Sequence, residues 1–289
     1  MYKCSYFNHP FQSCKQHKTF TSTAILLLHQ RGRLNINHKI TDTIPGTTMT
    51  YVPEDQNHAI PFKNEITILQ LLQHRAGVFD VANDMIPDSI SASVPYKNDW
   101  YMEYIKATNP THTFTFDEMV GVVATTGLYY FRPGADFHYS NTGYSMLGKI
   151  IERVSGKLYG QFITDEIIKP MGLISSTMPA LGTDRELPQP FVPGFVHIPG
   201  TIQNVTVSNI SGNVAEGNLI TTPSDLALFI RKLMRGEGVL SSNLVYSTML
   251  NCLPATPGSL SLYGCGVNNI NMLGYGHTGA HGVSFSDDP

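Results

Sequence analysis

The sequence predicts a helix-rich α+β fold whose strands gather toward the C-terminal end. Three observations lead there. Several segments carry apolar residues at helical spacing behind capping residues. Strand-like runs are few and late, the better ones at Phe191–Ile198 and Gly264–Leu273. Turn formers fill the long stretches between, Asp42–Asn64, Asp80–Thr113 and Ala180–Gly217, which read as the walls of a site. At 289 residues, 42% hydrophobic and 10% aromatic, the chain can bury a large core, and 1–289 reads as one domain.

Taken in order, Thr19–Arg31 is apolar nearly all round (Phe20, Ala24, Ile25, Leu26, Leu27, Leu28) and stops at Gly32. That is the pattern of a helix buried on most sides. Thr67 heads a short helix carrying Ile68, Leu71 and Leu72 that ends near Gly77. Thr115 and Glu118 make a capping box ahead of Met119, Val122 and Val123. From about Asn141 to Val154, one face carries Tyr144, Leu147, Ile150, Ile151 and Val154, with Gly156 past its end. Thr222 as N-cap and Pro223 as first helical residue open a helix through Leu226, Phe229, Ile230 and Leu233 that closes at Gly236.

Charge and composition exclude several classes. A formal net charge of −3, only 14% charged residues and scattered Lys and Arg give no footprint for nucleic acid or an acidic membrane. The four cysteines (Cys4, Cys14, Cys252, Cys265) have no CxxC spacing and read as free thiols. Eleven histidines include no HExxH, and His277 and His281 sit among glycines without a helical pattern, so no metal site is expected. No apolar run approaches the roughly 20 residues of a membrane span; the longest is Ala24–Leu28. Met1–Lys18 is polar, without the apolar core of a signal peptide.

Four segments stand out jointly. They are Lys18-Thr19-Phe20-Thr21-Ser22; Ile66-Thr67-Ile68 through Leu71-Leu72 to His74 and Gly77; Phe131-Arg132-Pro133-Gly134 with Tyr139-Ser140-Asn141-Thr142-Gly143-Tyr144; and Tyr275-Gly276-His277-Thr278-Gly279-Ala280. Glu216-Gly217-Asn218-Leu219 through Asp225-Leu226 lies between the last two. Singly, Lys18 reads as an exposed charge before a helix and Tyr139–Asn141 as a helix start with Asn141 as N-cap. His277 alone reads as a surface or hydrogen-bonded histidine.

In this order and spacing, over about residues 11–282, the set resembles the serine β-lactamase-related and penicillin-binding protein family, with its carboxypeptidases and esterases. The resemblance implies the two-lobed serine β-lactamase/transpeptidase-like α+β fold, a helical lobe beside an antiparallel sheet. It implies hydrolysis of an amide or ester in a small molecule or peptide through a serine acyl-enzyme, with no cofactor. Lys18 takes the place of the family's Ser-x-x-Lys lysine, Tyr139 of its phenol and Asn141 of its amide. His277, Thr278 and Gly279 take the place of the substrate-binding strand motif. Relatives are often periplasmic or secreted; the sequence itself carries no signature of compartment or oligomeric state.

The chain departs from that pattern at the nucleophile. Three residues before Lys18 stands Lys15, which cannot form an acyl ester, and two ammonium groups one turn apart at a helix start disfavour each other. Losing the nucleophile costs on the order of a millionfold in comparable enzymes. Cys14, at i, i+4 to Lys18, is a conceivable substitute, although one residue rotates it about 100° away from the family position. Family members also carry more sheet at both ends, so the sequence predicts an incomplete sheet, an exposed apolar patch on the Lys18 helix, and a truncated or frame-disrupted product. The alternative is a non-catalytic, ligand- or peptidoglycan-binding pseudoenzyme.

Overall fold

The run from Phe20 to Leu28 has no polar face to offer water, and it folds as the central helix. The computed structural model describes residues 9–12, 16–184, 186–198, 200–206, 209, 211–270, 274–277, 279–281 and 284–286. In it, strand β1 (Phe11–Gln12) precedes helix α1 (His17–Gln30), whose residues from His17 to Leu28 are all buried. The helix begins two residues before the predicted start at Thr19, without a side-chain cap. Tertiary packing rather than a local signal sets that start.

The body of the protein is helical. After α1 come α2 (Ile68–Leu72), α3 (Tyr101–Thr108), α4 (Phe116–Thr126), α5 (Asn141–Ser155) and α6 (Tyr159–Ile163). The last runs on through a π turn at Thr164–Ile168 into α7 (Lys169–Met171). The hairpin β2 (Phe195–Ile198) and β3 (Thr201–Asn204) and the short β4 (Ile220–Thr221) lead to α8 (Pro223–Arg235). The Thr115 capping box forms as predicted: Thr115 Oγ1 accepts the Glu118 N–H while Glu118 returns to the Thr115 N–H. Thr67, expected only as a helix start, makes a second box with Gln70. Thr222 caps α8, and Gly156 and Gly236 end α5 and α8 in the left-handed conformation.

Several boundaries differ from expectation. α2 stops at Leu72 rather than near Gly77. Ser140, not Asn141, caps α5: its Oγ accepts the Gly143 N–H at 3.1 Å, so Asn141 is the first helical residue and its side chain is released for other work. The turn-rich stretch Asp80–Thr113 contains α3, and only the second half of Phe191–Ile198 is strand.

Beside the helices lies a four-stranded antiparallel sheet in sequence order: α9 (Ser242–Leu244) and a π turn precede β5 (Leu253–Pro254), β6 (Ser261–Tyr263), β7 (Asn268–Ile270) and β8 (Gly274–Gly276). A further antiparallel pair joins β9 (Gly279–His281) to β10 (Ser284–Ser286). β1 pairs with β4, Phe11 opposite Thr221. The sheet meets α1 closely: Gly266, in the β6–β7 turn at φ +70°, has its carbonyl on Thr19 Oγ1 at 2.7 Å. A Cβ there would collide with the Ser22 side chain and the Lys18 carbonyl.

The expected apolar patch on α1 is therefore absent among the described residues. Tyr144, Leu147 and Ile151 of α5, Phe162 and Ile163 of α6, and Cys265 and Val267 beside the sheet are buried with α1 in one core. Phe20 stacks on Phe229 of α8 at 3.8 Å between ring centroids. No helix among the described residues is long and apolar enough to cross a membrane.

Candidate active site

Four elements meet around one amine. Lys18, in the first turn of α1, is fully buried, and its Nζ donates to Asn141 Oδ1 at 2.6 Å across 123 residues of sequence. The release of Asn141 from capping duty makes this bond possible. The same ammonium lies 4.7 Å from the ring centroid of Tyr139 and 5.1 Å from that of Tyr144, inside cation–π range of both. The exposed lysine suggested by position alone is thus a core residue.

An aromatic wall encloses the amine. The His74 ring lies tilted at 4.2 Å from Tyr139, with Tyr144 and Tyr263 at 4.9 and 4.8 Å. His74 Nδ1 accepts the Ser140 N–H, and its backbone holds φ +56°, a strained value for a non-glycine residue of the kind that collects at functional sites. His277 is buried, shares a 3.0 Å hydrogen bond with Tyr263 Oη and lies 6.0 Å from the Tyr139 ring. Gly279 opens β9. Thr278 lies outside the described residues, as do Cys14 and Lys15. Of the residues expected at the site, Lys18, Tyr139, Asn141 and His277 therefore come together.

Sequence reasoning missed the floor beneath the lysine. Asp80 is buried and accepts the Asn141 N–H, the Ala82 N–H at 3.1 Å and Asn83 Nδ2 at 2.7 Å. It thus sits at the positive end of α5, where a carboxylate is favoured. Burial pushes its pKa up, while the Asn141 N–H and Lys18 pull it back. Glu216 is fully buried too, and burial raises it to about 8 against the pull of Lys18. Glu216 opens the Glu216-Gly217-Asn218-Leu219 segment, and Asp80 stands three residues beyond the motif that ends at Gly77. An acid within an otherwise apolar or glycine-rich segment was the available signal.

Behind the lysine, His17 is held neutral by its bonding. Its Nδ1 accepts the Asn218 N–H at 3.4 Å, which leaves the proton on Nε2 to meet Tyr159 Oη at 3.1 Å. Tyr159 then bonds Thr21 Oγ1 at 2.6 Å, and Thr21 donates to the Ala215 carbonyl. Burial, with Lys18 next to it, lowers the His17 pKa to about 3. The site is a proton-bearing amine held by an amide, walled by phenols and imidazoles, over a buried acidic floor.

The Beta-lactamase family model matches residues 8–289. Protein flp of Staphylococcus aureus (strain NCTC 8325 / PS 47) is 33% identical over 156 residues, 53% of this chain and 25% of its own length. Penicillin-binding protein 4* of Bacillus subtilis (strain 168) is 26% identical over 241 residues, 80% of this chain and 46% of its own. The chain thus spans about a quarter to a half of these curated relatives. Among solved structures, a D-stereospecific amidohydrolase from Streptomyces sp. superposes with a TM-score of 0.75 at 26% identity, covering 95% of this chain and 76% of that one.

Proposed function

The chain belongs to the Beta-lactamase family, and from that premise we propose that it keeps the substrate cleft of an amide or ester hydrolase but forms no serine acyl-enzyme. The observation that carries this reading is a contrast at the start of α1. Lys18, Asn141 and Tyr139 are gathered as a proton-handling group needs, while the residue three positions earlier is Lys15. An amine acylated there would give a stable amide rather than an ester open to water.

The ligand class follows from the neighbours. The Streptomyces relative is named for D-stereospecific amide hydrolysis and the Bacillus relative for binding penicillin. Both names fit a cleft that takes a peptide or small molecule with a D-residue beside the amide. In this reading His277, Thr278 and Gly279 receive that ligand, Asn141 holds its amide beside Lys18, and no metal or cofactor takes part. Without turnover the protein is a reversible binder, and cell-wall peptide is a natural candidate ligand.

Incubation with a fluorescent penicillin and a fluorophosphonate, beside calorimetric titration with a D-alanyl-D-alanine peptide, tests this. The expected outcome is saturable reversible peptide binding, no covalent label, and no hydrolysis of nitrocefin or p-nitrophenyl esters. Covalent labelling that disappears in Cys14→Ala would overturn the reading and make Cys14 the nucleophile.

A further inference from the structure

The floor beneath Lys18 poses a question of charge balance. Two carboxyls, Asp80 and Glu216, are buried beside one ammonium. Asp80 accepts hydrogen bonds from the Asn141, Ala82 and Asn83 nitrogens, so it is built to be the anion. Glu216 is built otherwise: among the described residues neither carboxyl oxygen has a partner at full hydrogen-bonding geometry, both are buried, and the Ala215 N–H favours its anion less than burial opposes it. An ionised carboxylate buried with so little hydrogen bonding is among the most costly groups a protein can hold. The protonated acid is far cheaper.

We propose that Glu216 is a positioning residue for Lys18, holding a proton so that Asp80 alone balances the ammonium and Lys18 stays seated on Asn141. When Glu216 ionises, its proton passes to solvent and a second carboxylate appears beneath the amine, which fixes Lys18 as a cation. The amine is therefore free to exchange a proton only while Glu216 is neutral. That consequence rests on Lys18 being the proton-handling group of the site; the ionisation of Glu216 does not.

The surroundings of Glu216 agree with this assignment. From α1 it faces Lys18, which favours its anion; from the loop after α2 it faces Asp80, which opposes it. From α6 it faces the Tyr159 hydroxyl, whose own ionisation Glu216 discourages. His17, on α1 beside Lys18, is committed to the Asn218 N–H and Tyr159 and is uncharged, so it supplies no second cation. Backbone bonding fixes the segment: the Glu216 N–H donates to the Asn213 carbonyl at 3.1 Å, and the Ala215 carbonyl accepts from Thr21 of α1.

The test is an NMR titration of the full chain, with Glu Cδ and Lys Cε enriched in carbon-13. The Glu216 carboxyl carbon should titrate near pH 8, separate from the surface glutamates. The Lys18 Cε signal should move through the same midpoint, and that step should vanish in Glu216→Gln. A Glu216 carbon titrating with the surface glutamates near pH 4.5 would overturn the proposal. So would a Lys18 signal unmoved through the Glu216 midpoint, which is what a merely space-filling glutamate would give. Backbone assignment of the unsubstituted chain identifies Glu216 even if the variant fails to fold. Neither readout requires turnover, so a failed penicillin or peptide experiment leaves this test standing.

Discussion

Both halves of α1 lie inside the protein, yet His17–Ser22 and Thr23–Leu28 are buried by different means. The second half is a plain apolar core: Ala24, Ile25, Leu26, Leu27 and Leu28 pack among the aliphatic side chains of neighbouring helices. The first half buries His17, Lys18, Thr19, Thr21 and Ser22, and each is tied to a distant segment. Lys18 reaches Asn141, Thr19 Gly266, Thr21 Ala215 and Tyr159, and Ser22 Tyr144. A helix that needs only stability would repeat the second half. The first half accepts the cost of buried polar groups and receives in return one fixed geometry around an amine.

The strongest way to break that contrast is to remove the amine. Lys18→Met keeps the volume but leaves Asn141 Oδ1 without its donor and Asp80 without a nearby positive charge that favours its anion. A loss of about 1–3 kcal/mol in urea denaturation at pH 8.5 is expected from the buried acceptor left unmade, with the lost pull of Lys18 on Asp80 added to it. The loss should shrink in acid, where Asp80 can take up a proton. A Lys18→Met protein as stable as the parent at pH 8.5 would mean that the polar half is no charge cluster at all.

In the apolar half, Leu26→Ala should cost about 2–5 kcal/mol by transfer and cavity terms together. Its loss should be the same at pH 6 and pH 8.5, and the Glu216 titration should be unmoved. A pH-dependent loss would show that the two halves are coupled.

Two of the titrating neighbours of Lys18, His17 and Glu216, should act in opposite directions. His17 is neutral when folded down to about pH 3, but takes a proton below about 6.5 when unfolded. Protons therefore favour unfolding across that window, and stability rises with pH through it. Glu216 keeps its proton when folded up to about 8 and releases it above about 4.5 when unfolded. Its contribution falls as pH rises from 4.5 to 8. Between about 4.5 and 6.5 the two offset each other; above 6.5 His17 no longer offsets Glu216. Glu216→Gln should expose the His17 slope, up to about 1.4 kcal/mol per pH unit, and remove the decline above pH 6.5. Parallel stability–pH curves for the two proteins would refute the assignment.

How much of this was legible beforehand follows the caps. The helices whose starts the sequence marked, α2, α4, α5 and α8, begin at Thr67, Thr115, Ser140 and Thr222, each with a side chain that accepts an N–H. Of those it passed over, α3 and α6 begin behind Trp100 and Leu158, which cannot cap. The other two, α7 and α9, of three residues each, are too short to show a period even though Ser241 caps α9. α1 also lacks a cap and was found from its apolar run, at the cost of its first turn. The site divides likewise. Lys18, Tyr139, Asn141 and His277 were legible because ordered motifs mark them. Asp80 and Glu216 were not, because their meaning arises only when chain segments far apart in sequence close around one amine.

The smallest effects should come from those caps, and they test whether the polar half depends on helix strength elsewhere. Thr222→Ala removes the oxygen that accepts the Asp225 N–H at 3.2 Å and should cost about 1 kcal/mol. Leu158→Ser offers the converse. Leu158 is 73% exposed and precedes α6 with φ −58° and ψ 145°, an extended backbone compatible with an N-cap. A serine hydroxyl there can accept from the open first turn, and little packing is lost from so exposed a leucine. Asp would be the poorer choice, since Glu152 already accepts the Tyr159 N–H at 3.0 Å and a second carboxylate would sit beside it. The expected gain is about 0.5–1 kcal/mol, read as a higher urea midpoint with unchanged slope. Because the hydroxyl of Tyr159, the first residue of α6, bonds His17 and Thr21, this cap lies one residue from the polar half. If that half is fixed by its own hydrogen bonds, the Glu216 and Lys18 titrations should stay where they were. A shifted Glu216 midpoint in Leu158→Ser would instead show that the strength of α6 tunes the site.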